Sequence, residues 1–89
     1  MKLEVLSLAG VQYSGDAKSI NAKTSSGEIT VLDHHLPLIT VLAKGRLIIK
    51  PARTTDVVQS GGDAQEIIIP VNSGFFEVSQ GNKASALID

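Results

Sequence analysis

The stretch GEITVLDHHLPLITVLAKGRLIIK, residues 27–50, decides the fold of this chain. Runs rich in apolar residues cover 29–32, 38–42 and 46–50, and the segments 33–37 and Lys44-Gly45 separate them. Short β-branched runs bounded by Asp, Pro and Gly are typical of strands. Helical periodicity could be argued only for 36–43, and the short run with Pro37 near its start favours a strand there. The stretch therefore predicts three short strands and two turns, with Leu47 and Ile49 buried and Arg46 and Lys50 exposed by strand alternation.

Similar runs lie on both sides of this stretch. Residues 2–5 alternate in polarity and the apolar parity changes at Leu6, which predicts a bulge or burial on both faces. Gly10 and Gly15-Asp16 are expected to bracket a short segment at 11–14, and 19–23 alternates as a strand. Further strands are expected at 56–59, 66–69, 75–79 and 84–88, with turns at 60–63, 71–74 and 80–83 and Pro70 at a strand end or sheet edge. Gly74, before two phenylalanines, is expected to have a positive φ or a close backbone approach.

These runs predict an all-β domain, a flattened two-sheet β-sandwich or barrel of roughly eight to ten short, mostly antiparallel strands. At 89 residues we expect a single domain over 1–89 with one core. The absence of cysteine excludes a disulfide framework and thiol chemistry, and no apolar run is long enough to span a membrane as a helix. A net charge of −1 gives no overall attraction to nucleic acid or anionic lipid.

The residues that could carry chemistry do not form a recognised catalytic, metal or cofactor motif. His34 and His35 are neighbours, so on an extended chain their rings point to opposite faces, and no other ligand of zinc stands at a suitable spacing. Asp33 and His34 could be combined with a serine, but no serine lies in a G-x-S-x-G turn. Gly61-Gly62 lacks the Lys-Ser or Lys-Thr of a phosphate loop and predicts a hairpin turn.

Two features leave alternatives open. Lys44, Arg46, Lys50 and Arg53 form a local basic cluster, and the three aromatic residues of the chain are too few for an oligonucleotide-binding surface, so a solvated strand face is favoured and no nucleic-acid partner is expected. Asp16-Ala17-Lys18, expected in a turn after Gly15, weakly resembles the modified lysine of lipoyl carrier domains. A small all-β carrier or a ligand-binding module is therefore the alternative function.

The order of motifs resembles one family over nearly the whole chain. Gly27-Glu28, His35-Leu36-Pro37-Leu38 and Ala43-Lys44-Gly45 are followed by SGFFEV at 73–78 and ASALID at 84–89. In this order they resemble the N-terminal β-sandwich domain of the epsilon subunit of F-type ATP synthases, which is the delta subunit in mitochondria. Asp33-His34, Leu36 and Ser73 depart from the usual Pro-Gly, Ala and Gly of that family.

The resemblance implies a non-catalytic rotor subunit of the central stalk. Such a subunit links the gamma subunit to the membrane c-ring and couples proton flow to ATP synthesis. It would be a peripheral membrane protein, held through the complex on the cytoplasmic side of the energy-transducing membrane or its organellar equivalent. By position, Ser26, Gly27 and Glu28 match the c-ring contact, and Ser7 and His35 match the gamma contact.

The resemblance also implies an expectation about inhibition and nucleotide binding. Members of the family commonly continue past the sandwich into a two-helix C-terminal domain, whereas this sequence stops at Asp89, directly after the last expected strand. We expect this chain neither to inhibit ATP hydrolysis through such helices nor to bind nucleotide.

Overall fold

The computed structural model describes residues 1–52 and 66–89, which form seven strands and confirm the all-β class. The expected strand at 56–59 and turn at 60–63 lie outside these residues. The strands are β1 (Lys2–Ser7), β2 (Gly10–Thr24), β3 (Gly27–Leu32), β4 (Leu38–Pro51), β5 (Ile67–Val71), β6 (Gly74–Ser79) and β7 (Lys83–Ile88). The order of the strands across the sheet is β3-β2-β1-β7-β6-β4-β5.

An additional pairing of β2 with β4 closes this sheet into a barrel, with β3 and β5 extending it. Residues 10–16 of β2 pair with β1, and residues 19–24 pair with β3. Residues 38–42 of β4 pair with β6, and residues 45–49 pair with β5. Two long strands therefore pass from one sheet into the other, which produces the two layers of a sandwich: a first sheet around β1, β7 and β6, and a second sheet around β3 and β5.

The core lies between these layers and follows strand alternation. Its largest fully buried side chains are those of Leu3, Val5, Ile20, Val31, Leu47, Ile49 and Phe76. Each contributes about 2 kcal/mol by leaving water. Arg46 and Lys50 are exposed on the alternate positions of β4, as the sequence predicts.

The expected turn at Lys44-Gly45 is wrong, because β4 runs through both residues without interruption. The strand changes its pairing partner here, from β6 before the pair to β5 after it. A Cβ on Gly45 would lie 3.3 Å from the Lys23 Cδ atom. The glycine therefore leaves room for the Lys23 side chain of β2, a use of glycine that a sequence pattern does not separate from a turn.

The expected boundary at Gly15-Asp16 is also wrong, because β2 is one strand of 15 residues. Gly15 pairs with Leu3, and at Ala17 the strand exchanges β1 for β4 as its partner. A glycine and an aspartate at the point where a strand passes between sheets resemble turn residues in sequence.

Three finer predictions are confirmed. The register of β1 against β2 shifts between Val5 and Leu6, which is the bulge that the change of parity indicates. Pro70 lies in β5, at the edge of the sheet, where its missing N–H does not interrupt a ladder on both sides. Gly74 has a φ of +157°, and a Cβ there would overlap the Leu87 carbonyl oxygen.

Candidate functional site

An apolar stripe crosses the outer face of the first sheet. Val41 pairs with Phe75, Phe75 with Leu87, Leu87 with Leu6, and Leu6 with Val11, so the five side chains form one row across β4, β6, β7, β1 and β2. Phe75 and Leu87 are each 58% exposed. With strands about 4.8 Å apart, the row is about 19 Å long. A contiguous exposed apolar row of this kind is typical of a protein contact surface.

The next row on this face is mostly polar and carries acidic residues. It contains Ile39, Glu77, Ser85, Glu4 and Ser14, each paired with its neighbour in that order. Neither of the two glutamates forms an ion pair with another described residue. The apolar stripe therefore has an acidic border on one long side.

Ser7 lies at one end of the stripe, in the connection between β1 and β2. Its hydroxyl accepts hydrogen bonds from the Ala9 amide at 3.1 Å and from Gln12 Nε2 at 3.0 Å, and it donates to the Gly10 carbonyl at 3.4 Å. These bonds close a tight turn whose tip is Leu8. Among the described residues, the hydrogen-bond partners of the Ser7 hydroxyl therefore all lie within residues 9–12, in or next to this turn.

The hairpin that joins β2 to β3 lies at the other end of the stripe. Thr24 Oγ1 donates to the Gly27 carbonyl at 2.6 Å and accepts from the Ser26 amide at 3.1 Å. The Ser25 amide donates to the Val41 carbonyl at 3.0 Å, which ties the tip of the hairpin to the stripe. Glu28 is exposed, so the hairpin carries one negative charge to the surface.

His35 lies in the loop between β3 and β4, several residues before the stripe begins at Val41. Its ring is exposed, and Nδ1 lies 2.7 Å from the Leu36 carbonyl oxygen. Three strand spacings separate β4 from β1, so the structure places His35 and Ser7 at opposite corners of the first sheet. The two residues do not form one compact site.

The start of the same loop is fixed by a charge pair. The Asp33 carboxylate accepts a hydrogen bond from the Met1 ammonium, and the Met1 ammonium also donates to the Ala17 carbonyl at 2.9 Å. This ammonium hydrogen bond lowers the pKa of Asp33, and Asn82 contributes in the same direction. The His34 amide donates to Asn82 Oδ1 at 2.8 Å, so the turn after β3 is tied to the one before β7.

The outer face of the second sheet is organised differently. Lys23 stands opposite Glu28 in the register of β2 and β3, and Lys50 Nζ lies 3.8 Å from Glu66 Oε2. Lys44 and Arg46 are exposed, and Arg53 lies outside the described residues. Lys18 lies within β2 and not in a turn. The structure therefore does not place Lys18 at the tip of a hairpin, where the carrier alternative expects the modified lysine.

Within residues 1–52 and 66–89, no three His, Asp or Glu side chains gather as metal ligands would. The same residues contain no helix long and apolar enough to cross a membrane. A surface depression of about 330 Å³ lies beside Lys2, Glu4 and Ser85, next to the acidic border. Its lining comes from the acidic border and the row beyond it, and contains none of the five stripe residues.

Comparison with known proteins identifies the family. Residues 1–89 match the family model described as ATP synthase, Delta/Epsilon chain, beta-sandwich domain, and the chain belongs to this family. The ATP synthase epsilon chain of a Sulfurovum species is 30% identical over 89 residues, covering 100% of this chain and 61% of the relative. The epsilon chain of Brevibacillus brevis is 33% identical over 90 residues, covering 100% and 59%. The chain thus spans about three fifths of the length of these curated relatives.

Two solved structures share the fold. A chain of the Tetrahymena thermophila mitochondrial ATP synthase central stalk and c-ring structure superposes with a TM-score of 0.74 at 18% identity, over 99% of this chain and 62% of that chain. A chain of the Euglena gracilis mitochondrial ATP synthase structure gives 0.79 at 19% identity, over 99% and 49%. The likeness confirms the fold that the sequence resemblance predicts.

Proposed function

We propose that this chain is a non-catalytic central-stalk subunit of a proton-transporting F-type ATP synthase. It links the gamma subunit to the c-ring and couples proton flow to ATP synthesis. Membership of the family and the epsilon-chain relatives support the assignment to this complex. The apolar stripe is the single observation that supports a protein contact here, because a non-catalytic subunit acts through the surfaces that it presents to its partners.

The gamma subunit is the proposed partner of the first sheet. The stripe supplies the apolar centre of a contact, and the acidic row supplies a polar rim, which is the usual anatomy of a protein interface. Ser7 lies at one end of the stripe and His35 lies six residues before Val41, so the proposed gamma contact would have to extend from the stripe along β4 to include His35. The sandwich is stiff enough to pass torque, because its two sheets share β2 and β4 and cannot slide apart.

The c-ring is the proposed partner of the β2–β3 hairpin. Ser26, Gly27 and Glu28 are exposed there, and the hairpin is hydrogen-bonded to β4 beside the stripe. A load taken up by this hairpin would pass directly to the strand that carries Val41. The chain would then be held at the membrane through the complex, on its cytoplasmic side or the organellar equivalent.

The experiment compares Phe75→Lys with Ile68→Lys in the full chain. Phe75 and Ile68 are both 58% exposed, but Ile68 lies on β5 in the second sheet. We expect the Phe75 variant to bind the epsilon-depleted, gamma-containing catalytic head of its own synthase at least tenfold more weakly, while Ile68→Lys stays within twofold. Surface plasmon resonance with the head immobilised measures both. Equal binding by the two variants would remove the assignment of the stripe to gamma.

The c-ring contact is tested by Glu28→Lys, with Glu66→Lys as the control that changes the net charge equally. In the reconstituted synthase we expect Glu28→Lys to lower proton-coupled ATP synthesis, and Glu66→Lys to leave it unchanged, since a rim charge acts on the partner it faces. The purified chain should hydrolyse no ATP. Turnover by the chain alone, abolished by one substitution, would overturn the stalk assignment.

A further inference from the structure

The most exposed large apolar side chain among the described residues is Leu8, at the tip of the β1–β2 turn. It is 99% exposed, although tight turns favour polar residues and glycine. The turn around it is well fixed, because the Ser7 hydroxyl makes three hydrogen bonds within residues 7–12. The structure therefore holds a leucine in water on a rigid support, where transfer to an apolar environment is favourable.

Leu8 adds an apolar side chain beside the stripe, at the end of the β1–β2 hairpin and on the side opposite the acidic row. Leu6 precedes it by two residues and is paired with Val11, which is 61% exposed on the other side of the turn. Leu6 and Val11 are the end of the stripe, so a partner that covers the stripe and extends to that side of it would meet Leu8. The turn adds a protruding side chain to a surface that is otherwise nearly flat.

The charges beside the stripe restrict the chemistry of that partner. Glu4 and Glu77 border it and have no ion pair among the described residues. Lys2 and Lys83 lie one row further from the stripe, at opposite register positions of β1 and β7. A partner that lies along the stripe meets carboxylates first, and cationic side chains on the partner would neutralise them.

We propose that Leu8 anchors the contact at the apolar stripe by inserting into an apolar pocket of the partner, and that Lys or Arg side chains of the partner face the acidic row on the opposite side of the stripe. Ser7 is a positioning residue, which acts by holding the turn and not by touching the partner with its hydroxyl. The inference rests on the proposed function, in which this partner is the gamma subunit. It adds the shape and charge of the surface that gamma must present.

The first test measures binding of the full chain to the epsilon-depleted catalytic head, with Leu8→Ser and the control Leu32→Ser. Leu32 is also exposed, but it lies on β3, away from the stripe. We expect Leu8→Ser to bind at least tenfold more weakly through faster dissociation, and Leu32→Ser to bind within twofold of the unchanged chain. Both side chains lie in water, so equal thermal midpoints will show that the fold is kept. Leu8→Ser binding within twofold of the unchanged chain would overturn the inference.

The second test separates positioning from contact at Ser7. Ser7→Ala removes the hydroxyl and should weaken binding about threefold, and Ser7→Thr, which keeps the hydroxyl, should restore it. In the background of Leu8→Ser, the Ser7→Ala change should have no further effect on binding, because the residue acts through Leu8. An undiminished loss in that background would show a direct contact by Ser7 and overturn its positioning role.

The charge element is tested by salt. Binding of the unchanged chain should weaken as the salt concentration rises, and the double change of Glu4→Gln with Glu77→Gln should flatten this dependence. If the double variant showed the same salt dependence as the wild-type chain, the proposal of cationic side chains on the partner would be overturned. The outcomes also separate the two proposals: failure of the unchanged chain to bind any gamma-containing head defeats the proposed function, and binding that ignores Leu8 defeats only this inference.

Discussion

The outer faces of the two sheets cover the same core but differ in how their exposed apolar and charged side chains are arranged. On the second sheet, Lys23 stands opposite Glu28 in the strand register, and Lys50 Nζ lies 3.8 Å from Glu66 Oε2. On the first sheet, Phe75 and Leu87 belong to a row of five apolar side chains beside two carboxylates that form no ion pair among the described residues. On the second sheet, Ile68 is as exposed as Phe75, but its row reaches the polar Asn21 after one apolar neighbour. Inward positions decide the fold of both sheets alike, whereas the outward positions of the first sheet form the surface for which we propose the gamma subunit as partner.

The largest expected effect tests the shared core beneath both faces. Ile49→Asp places an unpaired carboxylate where the present side chain is fully buried, and we expect the domain to lose its fold at 25 °C. Arg46→Ala, on the exposed side of the same strand, should cost within about 0.5 kcal/mol. Urea denaturation followed by circular dichroism measures both. Similar losses for the two would contradict the division of β4 into a buried and an exposed side.

A smaller effect is expected from Gly74→Val, which acts on the first sheet alone. A side chain here would overlap the Leu87 carbonyl and lie 3.0 Å from the Ile88 Cα atom, so β6 and β7 must separate. We expect a loss of about 3 to 5 kcal/mol from this clash and the strained backbone.

The control for Gly74 is Gly27→Val, since a Cβ on Gly27 meets no atom within 4 Å although its φ is +127°. This change should cost only about 1 to 2 kcal/mol, the strain of the backbone by itself. Urea midpoints compare the two variants. Equal losses would mean that the close approach of β6 and β7 adds nothing to the requirement for glycine.

The acid stability of the β3–β4 loop gives a third prediction. The ammonium of Met1 holds the pKa of Asp33 below its ordinary value of 3.8, so the folded state binds this proton less readily than the unfolded state does. The stabilisation is therefore present above pH 3.8 and is lost as the pH falls through the lowered folded pKa. Asp33→Asn should lower the urea midpoint at pH 7, and the difference from the unchanged chain should disappear in acid. A difference that persists at pH 2 would contradict this origin.

The smallest effect is expected on the charged face. The Lys50–Glu66 pair is about half exposed, and such pairs contribute between about 0 and 1 kcal/mol. A double-mutant cycle with Lys50→Ala and Glu66→Ala should give a coupling energy of at most about 0.5 kcal/mol, reduced further by 0.5 M salt. A coupling above about 1.5 kcal/mol would show that this face depends on its charges for stability.

Much of the fold is predictable because it depends on local alternation and backbone restrictions. The parity of residues 46–50 predicts which side chains of β4 are buried, and the change of parity at Leu6 predicts the bulge. Gly74 before two phenylalanines indicates a close approach. The turns proposed at Gly15 and at Lys44-Gly45 are wrong because a long strand changes its pairing partner near each of them, and local patterns do not reveal pairing between strands distant in sequence.

The candidate site is less predictable. The stripe collects single residues from five strands, and only pairing brings Leu6, Val41 and Leu87 into one row. A weak signal does exist: Phe75 and Leu87 are apolar residues at outward positions of strands that otherwise alternate. The contact residues Ser7, His35 and Ser26 to Glu28 come from the family resemblance, and they remain predictions.

The parallel pairing of β1 with β7 has a consequence for synthesis of the chain. Residues 2–7 leave the ribosome well before their partner strand, residues 83–88, so the ladder between them forms only after β2 to β6 have been made. Until then β1 has only β2 beside it, and one row of its backbone groups is open to other chains. Closure of the barrel is therefore a late event, and we expect chaperone dependence or aggregation during translation to follow changes in β7 more closely than equally destabilising changes in the β2–β3 hairpin.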